Sequence, residues 1–406
     1  MQLNSDGYNT TNFSVSTDNS GIFHLIWNEY SFITNWSRLY YCTYDQTFSE
    51  KIPIYEIYSE NFNLGNITIV FSAEIDDLNR LHIVYMDRMG IELEDMEYKH
   101  LIYTDGILSG PNDLGNIRGQ LHRSPDGTIH YIGTKLDTGE FNGENIYYMM
   151  FIDNAWTTPV RLTNNKFPAS VEILDTAISK TGKICIVYKY SFNGFNETTG
   201  WYEVLNTRSL HWNNYNWKEY NISETYSLYS CLTYDDLDVP YLVQYGPQEP
   251  GALYLNFSRF ENNEWQLYKL LKVFDSSYEV NFAKFWNLFI IGCDIFIPIE
   301  ARNNTGNVNI FLLHSKNADE WALYPINRND TYHSYAPIIT ANKQGSVLLL
   351  CGGLSSNWDL FACYKDYFFI FEETKGTIGY TYLITLLAII SFVPIVTHYF
   401  SRKHKS

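Results

Sequence analysis

The chain has 406 residues, with 45 acidic against 28 basic side chains and a formal charge of −17 at pH 7. Removing the basic tail of Arg402, Lys403 and Lys405 leaves −20 on the rest, and a surface of that sign repels phosphate backbones, which excludes nucleic acid as a partner. The cysteines Cys42, Cys185, Cys231, Cys293, Cys351 and Cys363 stand apart, with no Cys-x-x-Cys and no Cys/His pair at metal spacing, so no zinc site is expected and nothing calls for a cofactor.

Aromatic residues make up 17% of the chain, almost equal to the 18% that are charged. That balance suits an all-β fold whose sheets are buried on both faces. Met1 to Thr11 is polar, without a basic region followed by an apolar one, so no signal peptide is read there and the sequence is expected to be a trimmed fragment or to carry a miscalled start.

In chain order the first informative element is Ser16 to Trp27, a polar Asp/Asn-Gly turn followed at once by the apolar run Ile22 to Trp27. Gly21 can take positive φ without steric cost, and the run that follows favours a pleated strand. Degenerate copies recur. They are Asp77-Leu78-Asn79 before Leu81, Asp126-Gly127 before Ile129, Thr181-Gly182 before Ile184, Asp236-Leu237-Asp238 before Tyr241, Trp286-Asn287 before Phe289, and Gln344-Gly345 before Val347. Seven units spaced by roughly 48 to 58 residues indicate a propeller in which each unit buries its faces only against its neighbours. The expected fold is an all-β, seven-bladed β-propeller of four-stranded antiparallel blades over residues 8–375, followed by one C-terminal transmembrane helix. The blades are placed near residues 8–60, 61–115, 116–165, 166–222, 223–276, 277–330 and 331–373.

Within a unit the four strands are contiguous. The third reads Arg118 to Arg123, Ile129 to Gly133, Ile146 to Ile152 and Trp156 to Leu162; the last reads Ala336 to Thr340, Val347 to Cys351, Asp359 to Tyr364 and Tyr367 to Phe371. The hairpin near Asn357 sets Cys351 opposite Cys363, close enough for a disulfide if the pair is a non-hydrogen-bonded one. A tryptophan often opens the fourth strand after a polar turn, as at Trp156, Trp217, Trp265 and Trp321. With the Gly turns, this resembles the sialidase-like propellers built from Asp-box (BNR) repeats, whose box reads Ser-x-Asp-x-Gly-x-x-Trp. Ser258 to Trp265 keeps the spacing but has Phe260 and Asn262 at the Asp and Gly positions, and Ser315 to Trp321 is one residue short. The resemblance implies the fold and carries over no catalytic residue.

Ile378 to Phe400 is apolar throughout its middle and is followed by Ser401-Arg402-Lys403-His404-Lys405. About 20 such residues span a bilayer, and the basic flank is expected to face the cytoplasm. The membrane is thus an expected partner, with residues 378–400 as a single-pass helix, residues 401–406 as a cytoplasmic tail and the propeller outside the cell. This layout is similar to archaeal surface proteins with a Gly-Tyr-led C-terminal anchor. If the chain instead starts at Met1 and inserts tail-first, the propeller faces the cytosol. Sequons at Asn9, Asn12, Asn35, Asn66, Asn196, Asn221, Asn256, Asn303 and Asn329 all precede the helix and agree with an external, glycosylated domain.

His24, His82 and His130 occupy equivalent places in the first three units, a recurrence that duplication explains without a metal. Acidic pairs such as Asp76-Asp77 and Asp235-Asp236 show nothing of the two facing carboxyls that glycoside hydrolysis needs. Strand parity puts the Gly and Trp turns on one face of the ring. The opposite face carries the longer second-to-third-strand loops and the blade-to-blade connections, where a glycan or protein ligand is expected. Candidate contacts there are Trp36, Phe141, Phe195, Trp201 and Trp358. Two function classes remain open at this point: an anchored binding or structural surface module, and an anchored glycoside hydrolase of sialidase-like type.

Overall fold

The computed structural model describes residues 9–31, 36–45, 47–58, 69–88, 96–138, 142–196, 200–212, 216–223, 229–245, 253–274, 280–285, 287–303, 308–316, 318–325, 333–341, 346–354 and 358–366. Every regular element among them is a β-strand. The chain divides into two compact units, residues 1–364 and 365–406, and the sheets build the first.

Seven sheets follow one another along the described chain. The first contains β1 (Asn9–Thr17), β2 (Phe23–Ser31) and β3 (Trp36–Asp45), with β4 (Thr47–Phe48) and β5 (Ile52–Tyr58) both on β3. The second runs β6 (Ile69–Ile75), β7 (Leu81–Arg88), β8 (Met96–Thr104), β9 (Ile107–Gly115). The third runs β10 (Arg118–Arg123), β11 (Ile129–Leu136), β12 (Glu144–Ile152), with β13 (Ala155–Trp156) and β14 (Val160–Arg161) both on β12. The fourth is β15 (Ala169–Ile178), β16 (Ile184–Asn196), β17 (Gly200–Trp212), β18 (Trp217–Ser223), and the fifth β19 (Ser230–Tyr234), β20 (Pro240–Tyr245), β21 (Leu253–Glu261), β22 (Glu264–Phe274). In the sixth, β23 (Val280–Phe285) and β24 (Phe289–Ile291) both pair with β25 (Asp294–Asn303), followed by β26 (Val308–Lys316) and β27 (Glu320–Pro325). The seventh shows β28 (His333–Ala341), β29 (Ser346–Leu354) and β30 (Trp358–Asp366). Six sheets therefore contain a four-stranded antiparallel path.

The sheets make a circuit. β1 packs on β6, β6 on β10, β10 on β15, β15 on β19, β19 on β24, β25 on β28, and β28 returns to β1. Hydrophobic cores lie between successive sheets: Ile26 with Ile75 and Tyr85, Met86 with Leu121 and Tyr131, Ile132 with Ile186 and Tyr188, Val187 with Leu232, Phe257 with Ile297. Leu348 of the seventh sheet packs into the core of Phe23, Leu25 and Trp27 in the first. Sheets buried on both faces explain why Ile129 to Thr134 is buried without alternation, as a two-sided strand must be.

The turn between first and second strands repeats at atomic detail. Asp18, Asp76, Ser124, Ser179 and Asp235 each donate their N–H to the carbonyl four residues on, at 2.8 to 3.1 Å. Three residues after each stands a positive-φ residue: Gly21, Asn79, Gly127, Gly182 and Asp238. Oδ1 of Asp18, Asp76 and Asp235 accepts the N–H groups two and four residues further on, and Ser179 Oγ does the same. The sequence reading began these two turns at Asp77 and Asp236, whereas the residue before each accepts the turn's hydrogen bonds. Asp236 instead pairs with Lys180 of the neighbouring turn.

Two further readings are corrected. Phe289–Ile291 does not open the second strand of the sixth unit; it hairpins onto β25 through Gly292, at φ 57, because the flexible residue lies after the apolar run and not before it. The single strand expected from Trp156 to Leu162 is split into β13 and β14, since Pro159 lacks an N–H and Thr157 folds back on Met150. The fourth-strand tryptophans wedge against the preceding sheet. Trp156 Nε1 donates to His100 Nδ1 at 3.1 Å and Trp265 Nε1 to Ser209 Oγ at 2.9 Å, while Trp217 meets Tyr148 and Trp321 meets Phe257 edge-on.

Candidate functional site: a cleft between the third and fourth sheets

In the first, second and fourth sheets the residue four places before the turn joins one sheet to the next, and Asn287 does the same from the sixth. Ser14 Oγ donates to the Ala73 carbonyl and accepts the Ala73 N–H, both at 3.3 Å. Ser72 does the same to Leu121, at 3.3 and 3.1 Å. Asp175 Oδ2 accepts the Leu232 N–H at 2.6 Å, and Asn287 brackets Ile339 with bonds of 2.6 and 3.2 Å. Each target, so far as the turn repeats, is the residue three places before the next turn. A short polar side chain thus stitches an opening strand to the backbone of its neighbour.

At the third sheet this position is Gln120, and its counterpart target is Thr176. No hydrogen bond joins them, and the Thr176 N–H is taken instead by Asp175 Oδ1 at 2.7 Å. A cavity of about 440 Å³ occupies this boundary, lined by Arg118, Gln120, His122, Thr134, Glu144, Ser170, Glu172, Thr176, Lys189 and Ser191 among others. That is the size of small-molecule sites. Arg118, Ser170 and Glu144 lie at strand ends away from the Gly turns, so the cleft sits toward the face of the longer loops. Gly119 and Gly133 pair across β10 and β11 beside it. A Cβ on either would fall 2.4 or 2.5 Å from a carbonyl oxygen of the facing strand, so only glycine permits this approach.

Two polar atoms of the lining are buried without a partner among the described residues, His122 Nε2 and Thr176 Oγ1. Burial pushes the His122 imidazole down to about 3, helped by its cross-strand neighbour His130, so it is neutral at physiological pH. His130 itself, held down to about 4 by burial, bonds Tyr148 at 2.8 Å. Lys189 stands 3.8 Å from Glu172, and Glu144 Oε2 accepts the Val171 N–H at 3.3 Å. Arg118 has no ion-pair partner among the described residues, so an exposed guanidinium is left available at the cleft of a strongly acidic protein. The histidines read as a recurrent set go elsewhere. His24 and His82 approach the turn carboxylates Asp18 and Asp76 at 3.4 and 3.1 Å, with Tyr41 and His100 on their other sides. Among the described residues no acid, histidine and cysteine cluster could hold a metal.

Of the residues singled out by sequence, Trp36 opens β3, Trp358 opens β30, and Phe195 and Trp201 face each other across the loop end of β16 and β17; their side chains, and Phe141 altogether, lie outside the described residues. Asn221 is exposed on β18 and Asn256 partly buried on β21. Asn35, Asn66 and Asn329 lie outside the described residues, as do the side chains of Asn196, Asn303, Cys351 and Cys363. Sequence reasoning missed Gln120, His122 and Thr176. The available signal was a glutamine where the first, second and fourth units carry serine, serine and aspartate. Residues 378–400 also lie outside the described residues, among which no helix is long and apolar enough to cross a membrane.

No family model matches the chain, and no curated protein matches it. Among solved structures it is similar to a polysaccharide lyase of family PL25, an ulvan lyase, with a TM-score of 0.60 at 14% identity over 90% of this chain and 96% of that one. A second ulvan lyase structure, bound to -[GlcA(1-4)Rha3S]-, gives 0.59 at 14% identity over the same shares. The β-propeller domain of the Trilobed protease from Pyrococcus furiosus, described as having an open velcro topology, gives 0.50 at 12% identity over 89% and 97%. The class of protein is therefore a β-propeller. The likeness to Asp-box propellers stays at the level of that fold.

Proposed function

We propose that the chain is a seven-bladed propeller that binds an acidic polysaccharide in the cleft between its third and fourth sheets. The observation that carries this is the missing stitch. Gln120 leaves a cavity whose floor holds unpartnered His122 Nε2 and Thr176 Oγ1, while Arg118 stands unpaired at its rim. Buried polar atoms are costly without partners, and sugar hydroxyls supply both donor and acceptor. A guanidinium binds carboxylate or sulfate through parallel charged hydrogen bonds. At physiological salt the screening length is about 8 Å, so the distant net charge is screened, and within the cleft Arg118 and Lys189 balance Glu144 and Glu172. The ulvan lyase that binds a glucuronyl and sulfated-rhamnosyl chain on this fold supports an acidic saccharide.

The test is calorimetric titration with ulvan oligosaccharides beside neutral xylo-oligosaccharides. Acidic chains bind and neutral ones do not, and Arg118→Ala weakens binding roughly 10- to 100-fold without rescue by Arg118→Lys. Equal binding of both kinds, or none, removes the reading. Following unsaturated uronate and new reducing ends in the same samples separates a binding module from a glycan-cleaving enzyme.

In the same reading Tyr367 to Phe371 completes the seventh sheet, and residues 378–400 anchor the propeller outside the cell with residues 401–406 inside. Protease added outside intact cells checks this placement. Survival of the propeller while external control proteins are digested overturns it.

A further inference from the structure

The connection from the third sheet to the fourth carries Phe167, which is 71% exposed, well above Tyr268 at 41% and Tyr324 at 36%. It is exposed and yet held in place. Its N–H donates to Asn142 Oδ1 at 3.0 Å. Asn165, two residues earlier, donates its N–H to Asn145 Oδ1 at 2.7 Å and its Nδ2 to the Glu144 carbonyl at 2.9 Å. Asn145 is fully buried and donates from Nδ2 to the Gly143 carbonyl. The connection also lies directly on Gly143, where a Cβ would fall 3.0 Å from Ala169 O and from the carbonyl carbons of Asn165 and Lys166. The loop is thus clamped to the entry of β12 by an asparagine cage.

This cage borders the cleft. Glu144, whose carbonyl is one of its acceptors, lines the cavity, and so does Ser170, three residues after Phe167. An aromatic side chain on a fixed backbone has only two torsions to lose when a ligand covers it, and the apolar face it offers gains from being covered.

We infer that Phe167 is a stacking platform for a pyranose of the disaccharide repeat unit next to the one held in the cleft, a second subsite for a saccharide chain. The inference rests on the glycan reading above. The C–H face of a sugar ring lies on the phenyl ring, while the acidic group of the neighbouring unit reaches Arg118. A chain of at least two repeat units therefore binds more tightly than one, and Phe167 supplies the difference.

The experiment titrates the full chain, Phe167→Ala and Phe167→Trp with the ulvan disaccharide and tetrasaccharide, with Arg118→Ala alongside. Phe167→Ala is expected to weaken the tetrasaccharide roughly tenfold and the disaccharide hardly at all, with an unchanged melting temperature because the ring is exposed. Phe167→Trp restores tetrasaccharide affinity, and its added fluorescence relative to wild type changes on titration. Unchanged tetrasaccharide affinity in Phe167→Ala, while Arg118→Ala loses binding, overturns the platform and leaves the glycan reading standing. Equal loss of both lengths in Phe167→Ala also overturns it, by placing Phe167 in the first subsite. No binding of either oligosaccharide to the unaltered chain removes the glycan reading and the platform with it.

Discussion

Between the second and third sheets Ser72 spans the gap and brackets Leu121; between the third and fourth, Gln120 holds the same place in its strand, leaves Thr176 alone and lines a cavity. The opening strands, turns and apolar cores are otherwise alike on both sides. At these boundaries a single position thus separates one that is sewn shut from one that is open. Asp175 sharpens the contrast, because one of its oxygens caps Thr176 on the open side and the other stitches forward to Leu232 on the closed side.

Asp175→Ala is therefore the change that breaks the comparison hardest. It leaves the N–H groups of Thr176 and Leu232 unpaired, and the expected loss is about 2–4 kcal/mol, read by urea unfolding at pH 5. A loss below about 1 kcal/mol means that the closed boundaries do not depend on their stitches.

The pH dependence follows from the same residue and from Glu74. Burial raises both carboxyls to about 7, against backbone bonds from Leu232 and Thr176 on Asp175 and a bond from Ser16 on Glu74. A folded-state pKa above the unfolded value means that the folded chain keeps protons the unfolded chain has released. Stability from these groups is complete below about pH 4 and is lost as pH rises to about 7. The unfolding midpoint is expected to fall from pH 5 to pH 8, by the equivalent of on the order of 1–3 kcal/mol. Asp175→Asn and Glu74→Gln should each flatten that slope, and a slope unchanged in the double variant rules these carboxyls out.

Ser72→Ala tests a closed boundary without a titratable group. The Leu121 N–H loses its partner, and the expected cost is about 1–2 kcal/mol. Gln120→Ala, the matched change at the open boundary, should cost less than about 0.5 kcal/mol, as ordinary surface changes do. Equal costs would mean that Gln120 makes a stabilising contact.

The repeat was legible in the sequence because turn chemistry is local. Gly21, Gly127 and Gly182 mark positive φ directly, and the apolar runs after them are strands. Asn79 and Asp238 take the same conformation, and they were read only as weaker copies. The capping residues Asp76 and Asp235 were missed in favour of their neighbours because adjacent carboxylates look equivalent until the turn's hydrogen bonds are seen. The sixth unit failed for the same local reason: Gly292 stands after Phe289–Ile291, and nothing in Trp286-Asn287 demands a turn. The cleft was not legible, since it depends on two residues 56 positions apart, Gln120 and Thr176, failing to meet. Phe167 escaped notice because aromatics were sought in the loops within sheets, whereas the connection between sheets carries the exposed ring.

The smallest expected effect belongs to Gln120→Ser, which gives the open boundary the residue that closes the first and second. If side-chain identity alone sets the boundary, the new serine should bracket Thr176 and stabilise the fold by about 1 kcal/mol. Two observations argue against that gain. The Thr176 N–H is already bonded to Asp175, so a serine there would compete for a satisfied donor and win only the carbonyl. The pinched Gly119–Gly133 pair fixes β10 on β11, and β10 cannot swing toward β15 to shorten the reach without disturbing a contact that no other residue allows. The expected change in unfolding midpoint is therefore the equivalent of less than about 0.5 kcal/mol, with saccharide binding reduced by loss of the Gln120 amide. Stabilisation of about 1 kcal/mol or more, with binding abolished, would show instead that the cleft is a boundary held open by one side chain, and that the backbone on either side is free to close.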